Sequence, residues 1–288
     1  MRLGFCSNAF TRHDLAFAID AVADAGYDAI EVLCDRPHHW PGDPDHTDPE
    51  RIRGLAARIA KRGLTVGNVN ANTAVGFYPI EVPENVFGPS LCSDEPRERS
   101  DRLEHVRGAI ELARALGAPC ISITAGAAGT DRPPERALSI LEDSLTQILR
   151  WAEGGAIRVG IEAEPGLLIE RSDEIARLCD RIGHRLLGFN LDVGHCVVAG
   201  EDPAEVIREH GPRIWHLHLE DIRDRKHFHR IPGEGEVDFA AIVAALDEVD
   251  FDGTASVELY AHKSDPVGAA TAALRVLRPL FAAPRPGR

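Results

Sequence analysis

The stretch FNLDVGHCVVAG, at residues 189–200, couples a short apolar run to two polar side chains. The run continues a strand candidate at 186–192 that ends on Asp192, and His195 follows three residues later. Its length and its β-forming residues are typical of a buried strand. A carboxylate is rarely buried without a partner, so the stretch raises the question of what Asp192 and His195 bind where the strand ends.

The same arrangement, a short apolar run followed by an amphipathic segment, occurs eight times along the chain. Strict alternation of strands and helices predicts a parallel sheet with the helices packed outside it. Eight such units in 288 residues predict an α/β fold, a closed (β/α)8 TIM barrel in a single domain. The strand candidates lie at 2–7, 29–34, 65–70, 120–125, 158–163, 186–192, 214–219 and 255–259.

An open, doubly wound sheet is the alternative arrangement. It favours a Gly-rich turn after the first strand, and CSNAFTRHD at 6–14 contains no glycine. We therefore expect the barrel domain to span residues 1–283 and the tail at 284–288 to be disordered. Two long segments between elements, 71–97 and 220–236, are expected to be functional loops.

The charge balance limits what the protein can bind. The formal net charge is −14, which argues against nucleic acid and against an anionic membrane surface, because both need clustered Lys and Arg. No apolar run is long enough to cross a bilayer, and the N-terminus lacks the pattern of a secretion signal. Six scattered cysteines without a CxxC pair predict free thiols, which fit a cytoplasmic location.

Polar residues recur where the last four strand candidates end. In a TIM barrel the active site lies at the carboxyl ends of the strands. Any one of these residues alone is typical of the surface or of a hydrogen-bonded core group, but four consecutive strands favour a shared ligand. Three carboxylates and one imidazole suit a divalent cation such as Mn2+, Mg2+, Co2+ or Zn2+. The residues are Glu162 and Glu164, Asp192, His216 and His218, and Glu258.

Several segments resemble one family of enzymes. The segments FNLDVGHCVVAGEDP, WHLHLED, HRIPGEGEVDFAAIVAALDEVDFDG and ASVELY, in that order, are similar to the xylose isomerase-like TIM barrels. The segment AGYDAIEVL, which carries Glu31, resembles the second strand of that family. The resemblance covers nearly the whole chain and is strongest at 157–260. The family includes epimerases of the tagatose-3-epimerase type, inosose dehydratases and hydroxypyruvate isomerases.

The resemblance implies one divalent cation, expected to be Mn2+, and a set of ligands for it. Strand geometry favours Glu164 as the residue nearer the strand end, whereas the resemblance favours Glu162, which we follow. Glu162 and Glu258 are also the implied catalytic residues, which exchange the proton at the reacting carbon. The implied metal ligands are Glu162, Asp192, His218 and Glu258.

Four further residues are predicted to contact the substrate. The resemblance places His195 and Arg223 near the positions that bind substrate oxygens. Glu164 is kept as a group that contacts the substrate or supports those that do. His229 precedes the family-like PGEGE turn and is predicted to lie over the site, although it and the neighbouring His227 could also face solvent.

The resemblance implies an isomerase or epimerase of a keto-sugar or cyclitol. The reaction would pass through a metal-stabilised enediolate, with the glutamates moving the proton. Dehydration of an inosose begins with the same step and stays an alternative. The remaining candidates are an endonuclease IV-like nuclease, which needs more ligands and a basic groove, and a sugar-binding barrel without catalysis. A homo-oligomer is expected from the resemblance alone.

Overall fold

Parallel strands form a closed barrel. The computed structural model describes residues 1–78, 86–129 and 133–282. The strands are β1 (Arg2–Cys6), β2 (Ala29–Leu33), β3 (Thr65–Asn70), β4 (Cys120–Thr124), β5 (Arg158–Glu162), β6 (Leu187–Asp192), β7 (Ile214–Leu219), β8 (Asp221–Arg223), β9 (Lys226–Arg230) and β10 (Thr254–Val257). All but β8 and β9 belong to the barrel, in the order β1-β10-β7-β6-β5-β4-β3-β2. This closure confirms the predicted TIM barrel and excludes the open sheet.

Helices follow the barrel strands, as the alternation predicts. Asp48 caps one of them, because its side chain accepts hydrogen bonds from the backbone N–H groups of Glu50 and Arg51. Another ends at Gly117, whose φ of +71° is a left-handed conformation that glycine adopts without strain. The helices are α1 (Leu15–Ala25), α2 (Pro44–Thr47), α3 (Pro49–Lys61), α4 (Pro96–Leu116), α5 (Pro134–Glu153), α6 (Ser172–Ile182), α7 (Val193–Ala199), α8 (Pro203–His210), α9 (Phe239–Glu248) and α10 (Pro266–Phe281).

Alternation along each strand separates an apolar face from a polar one. In β7, Leu217 and Leu219 belong to the buried apolar cluster that joins the strands to the helices. His216 and His218, which alternate with them, hydrogen-bond instead to Glu31 of β2. The side chains of neighbouring positions point to opposite faces, so one strand supplies both the core and the polar lining.

The segment 220–236, expected to be a long loop, contains a hairpin. Strands β8 and β9 are antiparallel and pair Arg223 with Lys226. The two turn residues, Asp224 and Arg225, have φ of +56° and +53°, the backbone that a tight two-residue hairpin turn requires. The sequence did not predict this hairpin, because its turn is Asp-Arg rather than Asn-Gly.

Asp221 anchors the hairpin to the turn that follows it. Its side chain accepts hydrogen bonds from the backbone N–H groups of Gly233, Gly235 and Val237 at 2.8, 2.8 and 3.0 Å. A side chain at position 235 would place its Cβ 2.2 Å from Asp221 Oδ1, so the PGEGE turn needs glycine there. The anchored turn holds β9 over the carboxyl end of the barrel.

The remaining predictions concern the cysteines, the helices and two segments of the chain. All six cysteines are free and buried. Within the described residues, the helices lack the combination of length and apolar character that spanning a membrane requires. The tail at 284–288 and part of the segment 71–97, residues 79–85, lie outside the described residues.

Candidate active site

Four side chains converge where neighbouring strands of the barrel end. The ligand atoms of Glu162, Asp192, His218 and Glu258 lie within 4.8 Å of one another, and all four residues are buried. His218 Nδ1 is 3.1 Å from a Glu162 oxygen, 3.8 Å from an Asp192 oxygen and 3.6 Å from a Glu258 oxygen. The structure therefore brings together the set that the resemblance implies as metal ligands.

Glu31 of β2 fixes the orientation of His218. Its two carboxylate oxygens contact His218 Nε2 and His216 Nε2, both at 2.8 Å. Burial alone would raise the pKa of Glu31, but the positive charges of His218 and His216 and their hydrogen bonds outweigh it and hold that pKa well below its usual range. A histidine that donates one ring N–H to a carboxylate offers its other nitrogen to a metal, and here that nitrogen is Nδ1.

Two asparagines hold Glu258, one from the short turn after β1 and one from β3. Asn8 Nδ2 and Asn70 Nδ2 donate to Glu258 Oε1 at 2.9 and 3.0 Å. Its other oxygen, Oε2, faces His218 Nδ1. Burial raises the pKa of Glu258 to about 8. One oxygen is thus fixed by amides, and the other is left for a ligand or a proton.

Glu162 is held in a similar way. Asn72 Nδ2 donates to Glu162 Oε2 at 2.7 Å, and Asn190 Nδ2 donates to the same oxygen. Asn72 itself depends on the buried Arg102 of α4, whose guanidinium donates to the backbone carbonyls of Ala71 and Asn72 at 2.8 and 2.7 Å. The position of Glu162 therefore depends on a helix outside the barrel.

Asp192 joins strand β6 to helix α7. It is the N-cap of α7, and its Oδ1 accepts from His195 N–H at 2.7 Å. Its Oδ2 lies 3.8 Å from His218 Nδ1 and also faces Glu220. A proton kept on Glu220 gives this oxygen a hydrogen-bond donor. Burial and then the Asp192 charge raise the pKa of Glu220 well above its usual range. A Cβ at Gly194 would lie 1.8 Å from Glu220 Oε1, which explains the glycine in DVGH.

A cavity of about 640 Å³ adjoins the cluster, a size common for small-molecule sites. Glu162, Glu258 and three of the four residues predicted to contact substrate line it, namely Glu164, His195 and His229. Burial raises the pKa of Glu164 to about 8. Burial lowers the pKa of His195, but Asp192 and the neighbouring glutamates outweigh it and raise that pKa to about 9. Positive charge is therefore favoured at His195.

Arg223 is placed differently. It lies on the hairpin with an exposed side chain and is not among the described residues that line the cavity. Its predicted contact with substrate therefore stays a prediction without support from the geometry. Three other cationic residues, Arg12, Arg36 and Lys263, do line the cavity.

The sequence did not predict that asparagine amides and Glu220 support the site. Asn68, Asn70 and Asn72 alternate in NVNAN, which is the pattern of one strand face continued past the strand end. This two-residue alternation could have predicted that the three asparagines share the barrel interior with the glutamates. Glu220 directly follows β7, and nothing in HLED distinguishes it from the neighbouring Asp221, which anchors the hairpin.

The donor set fits a divalent cation. Three carboxylates and one imidazole, all buried, leave negative charge that hydrogen bonds only partly compensate. The oxygen-rich set is compatible with Mn2+, Mg2+, Co2+ or Zn2+.

Comparison with known proteins finds one matching family model and several similar proteins. A family model described as xylose isomerase-like TIM barrel matches residues 19–280. The inosose dehydratase of Geobacillus kaustophilus is 30% identical over 254 residues, covering 76% of this chain and 82% of that protein. The fructoselysine 3-epimerase of Shigella flexneri is 23% identical, covering 90% of each chain. The crystal structure of IOLI protein with a bound zinc atom superposes with a TM-score of 0.76 at 18% identity, covering 98% of this chain and all of that one, and it shows the fold alone.

Proposed function

Since the chain belongs to the xylose isomerase-like TIM barrel family, we propose that it is a divalent-metal-dependent isomerase or epimerase of a keto-sugar or related polyol. The observation that carries the proposal is the pair Glu162 and Glu258. They come from separate strands, both are buried, and both reach the same candidate metal position beside the cavity.

Glu162, Asp192, His218 and Glu258 would hold the cation, which supplies positive charge to stabilise negative charge on a substrate carbonyl oxygen. One of the two glutamates removes the proton from the carbon next to that carbonyl. The other returns a proton to the opposite face, which gives epimerisation, while return to the adjacent carbon gives isomerisation. Mn2+ is the ion we expect.

The asparagines limit how the glutamates can move during proton transfer. Glu258 Oε1 is fixed by Asn8 and Asn70, and Oε2 is the oxygen that faces the candidate metal position. Burial raises the pKa of this carboxyl above its ordinary value, which makes its carboxylate a stronger base. His195 and the buried Glu164, next to it on the cavity wall, are suited to hold substrate hydroxyls.

Dehydration of a keto-cyclitol is the second candidate function. It is favoured by Glu164, whose raised pKa of about 8 lets it keep a proton for a departing hydroxyl. The 30% identity to an inosose dehydratase points the same way. Both functions start with the same proton removal, and they differ in whether water is lost.

The nuclease alternative has less support. The net charge of −14 opposes binding to DNA. Glu31, Asn68 and Asn70, which stand where extra metal ligands would be needed, hydrogen-bond among themselves and to the histidines of β7. These three residues are therefore already used in hydrogen bonds within the barrel.

The test is metal-dependent uptake of deuterium from solvent by a panel of ketoses and inososes. We expect exchange in the wild type loaded with Mn2+ and none after the metal is chelated. Glu258→Gln should lower the exchange rate by about 10²–10⁴-fold. Glu234→Gln, a change at an exposed glutamate, is the matched control and should leave it unchanged. Full exchange in Glu258→Gln would contradict the proposal, and loss of water from an inosose would select the dehydratase.

A further inference from the structure

We propose that a cleft between helices α3 and α4 binds an uncharged, planar heteroaromatic molecule with a ring nitrogen. The cleft has a volume of about 750 Å³, which is in the range of small-molecule sites. Among the described residues, none lines both this cleft and the cavity beside the metal-ligand set. The proposal goes beyond the proposed function, because neither the cation nor the glutamates take part in it.

Aromatic rings form one wall of the cleft. The rings of Trp40 and Phe77 meet edge to face with centroids 4.7 Å apart, and the ring of His105 lies 5.0 Å from that of Trp40. All three residues line the cleft. Aromatic side chains bind flat rings through stacked and edge-to-face contacts, which contribute beyond the apolar area that they bury. This wall therefore favours a planar ring over a flexible polyol.

Two glycines hold this wall in place. A Cβ at Gly76 would collide with the indole of Trp40, and a Cβ at Gly108 of α4 would collide with Pro41. The chain can therefore pass directly against the indole, and Pro41 can lie directly against α4. A wall packed this closely is formed before a ligand arrives, which lowers the entropic cost of binding.

His39 contributes an unsatisfied polar atom to the cleft. The residue lines the cleft and is 2% exposed, and its Nδ1 has no hydrogen-bond partner within the described part of the chain. His105 differs, because its Nε2 lies 2.6 Å from the Cys34 carbonyl and its Nδ1 lies 3.1 Å from Arg102 Nη1. Buried polar groups are normally paired. A ring nitrogen of a ligand would give His39 the partner that the fold gives to His105.

The protonation state of His39 narrows the class of ligand. Burial lowers the pKa of His39 to about 4, and the nearby His46 and Arg51 add to this effect. The imidazole is therefore neutral at physiological pH and has one N–H donor and one bare lone pair. A heteroaromatic ring that carries both an N–H and a bare nitrogen can pair with His39 Nδ1 in either tautomer.

The charged side chains of the cleft disfavour an anion. The lining contains the carboxylates of Asp101, Glu104 and Glu111 against the guanidinium groups of Arg53 and Arg107. Arg107 lies 3.7 and 3.4 Å from the carboxylates of Glu104 and Glu111, so its charge is already compensated. Both glutamates are exposed, so they also contribute little to binding a cation. An uncharged ring fits this lining best.

Calorimetric titration with benzimidazole tests the proposal, because this probe is planar, uncharged at pH 7.5 and carries one N–H and one bare ring nitrogen. We expect the wild type to bind it with a Kd between about 10 μM and 1 mM. His39→Leu should raise the Kd at least about tenfold, because the ring nitrogen loses its partner. The control His184→Ala changes a histidine outside the cleft and should keep the Kd within about twofold of the wild type. Absence of binding to the wild type, or an equal Kd in His39→Leu, would overturn the proposal.

A second variant covers the case in which His39→Leu does not fold. Ala115→Trp fills the cleft from an exposed position on α4 and should abolish binding of benzimidazole. Binding that persists in this variant would place the probe elsewhere and overturn the proposal. Benzimidazole-5-carboxylate should bind the wild type with a Kd at least about tenfold higher than benzimidazole, because its charge meets the carboxylates of α4. Equal affinity would overturn the assignment to an uncharged ligand.

The position of the probe can be observed directly. Wild-type crystals soaked with 5-bromobenzimidazole should show an anomalous bromine peak between α3 and α4, and a peak only in the cavity beside Glu258 would overturn the proposal. These measurements do not depend on turnover. Binding in the cleft without deuterium exchange removes only the isomerase, and exchange without binding in the cleft removes only the second site.

Discussion

Two layers of polar side chains lie toward the carboxyl end of the barrel. The inner network lies on barrel strands, and its centre, Glu31, accepts hydrogen bonds from all four other members. The outer cluster lies largely on loops and on the hairpin, lines the cavity, and contains a buried nitrogen without a partner among the described residues. The inner network consists of Glu31, Asn68, Asn70, His216 and His218, and the outer cluster of Glu164, His195, His227 and His229.

The difference between the layers indicates what each is for. Glu31 is paired four times, so the inner network can hold His218 in one orientation without any ligand, although Asn68 Oδ1 and His216 Nδ1 have no hydrogen-bond partner among the described residues. An unpaired buried nitrogen such as His229 Nε2 destabilises the metal-free fold until something binds it. We infer that the inner network is structural support and that the outer cluster is reserved for ligands.

Changing Glu31 tests the inner network and should have the largest effect. Glu31→Gln removes a buried carboxylate that faces two imidazoles and two amides. We expect the free energy of unfolding to fall by about 3–5 kcal/mol, because breaking a buried ionic network leaves its partners uncompensated. Metal affinity should fall about 10–100-fold.

Urea unfolding and metal titration measure the two effects of Glu31→Gln. Glu234→Gln is again the control, and a change at this exposed position should stay within about 0.5 kcal/mol of the wild type. If Glu31→Gln is as stable as the control, the inner network is not the support that we infer.

Changing Arg102 tests whether the site also depends on a residue outside the barrel strands. It is buried and donates to the carbonyls of Ala71, Asn72 and Thr73 and to His105. We expect Arg102→Met to lower the free energy of unfolding by about 3 kcal/mol, since several buried acceptors lose a charged donor. The deuterium-exchange rate should fall as well, because Asn72 loses its anchor.

Arg102→Lys distinguishes positioning from stability. A lysine can reach one carbonyl but cannot match the planar guanidinium, so stability should recover more than exchange does. Equal recovery of both would indicate that Arg102 acts on stability alone.

The fold could be predicted from the sequence because it depends on local patterns. Alternation of apolar runs and helical segments placed every barrel strand within about two residues of its observed bounds. Asp192, His218 and Glu258 were found in the same way, because a strand that ends on a polar group shows it in its own few residues. The family resemblance then decided between Glu162 and Glu164.

The supporting contacts could not be predicted because they join distant parts of the chain. Glu31 meets His216 and His218 across 185 and 187 residues, and Asn70 meets Glu258 across 188. Which residues share the barrel interior depends on the register between neighbouring strands, and that register shifts between Ile30 and Glu31. A single sequence contains no signal for such a shift.

Changing His229 tests the outer cluster and should have the smallest effect at neutral pH. His229→Leu removes a hydrogen bond to the Glu258 carbonyl together with the unpaired Nε2, so the two contributions nearly cancel. In metal-free protein at pH 7.5 we expect the free energy of unfolding to change by less than about 1 kcal/mol. His216→Leu, which breaks the contact with Glu31, should cost about 3 kcal/mol in the same assay.

Acid should make His229→Leu more stable than the wild type. Burial lowers the pKa of His229 to about 3, whereas the unfolded chain binds that proton near pH 6.5. Between these values the unfolded state holds more protons, so the wild type loses stability as pH falls, by about 1.4 kcal/mol per pH unit, and the leucine variant lacks this loss. Urea unfolding at pH 5 should then show the variant about 2 kcal/mol more stable than the wild type. An unchanged difference between pH 7.5 and pH 5 would mean that His229 is not held neutral, and the contrast between the two layers would fail.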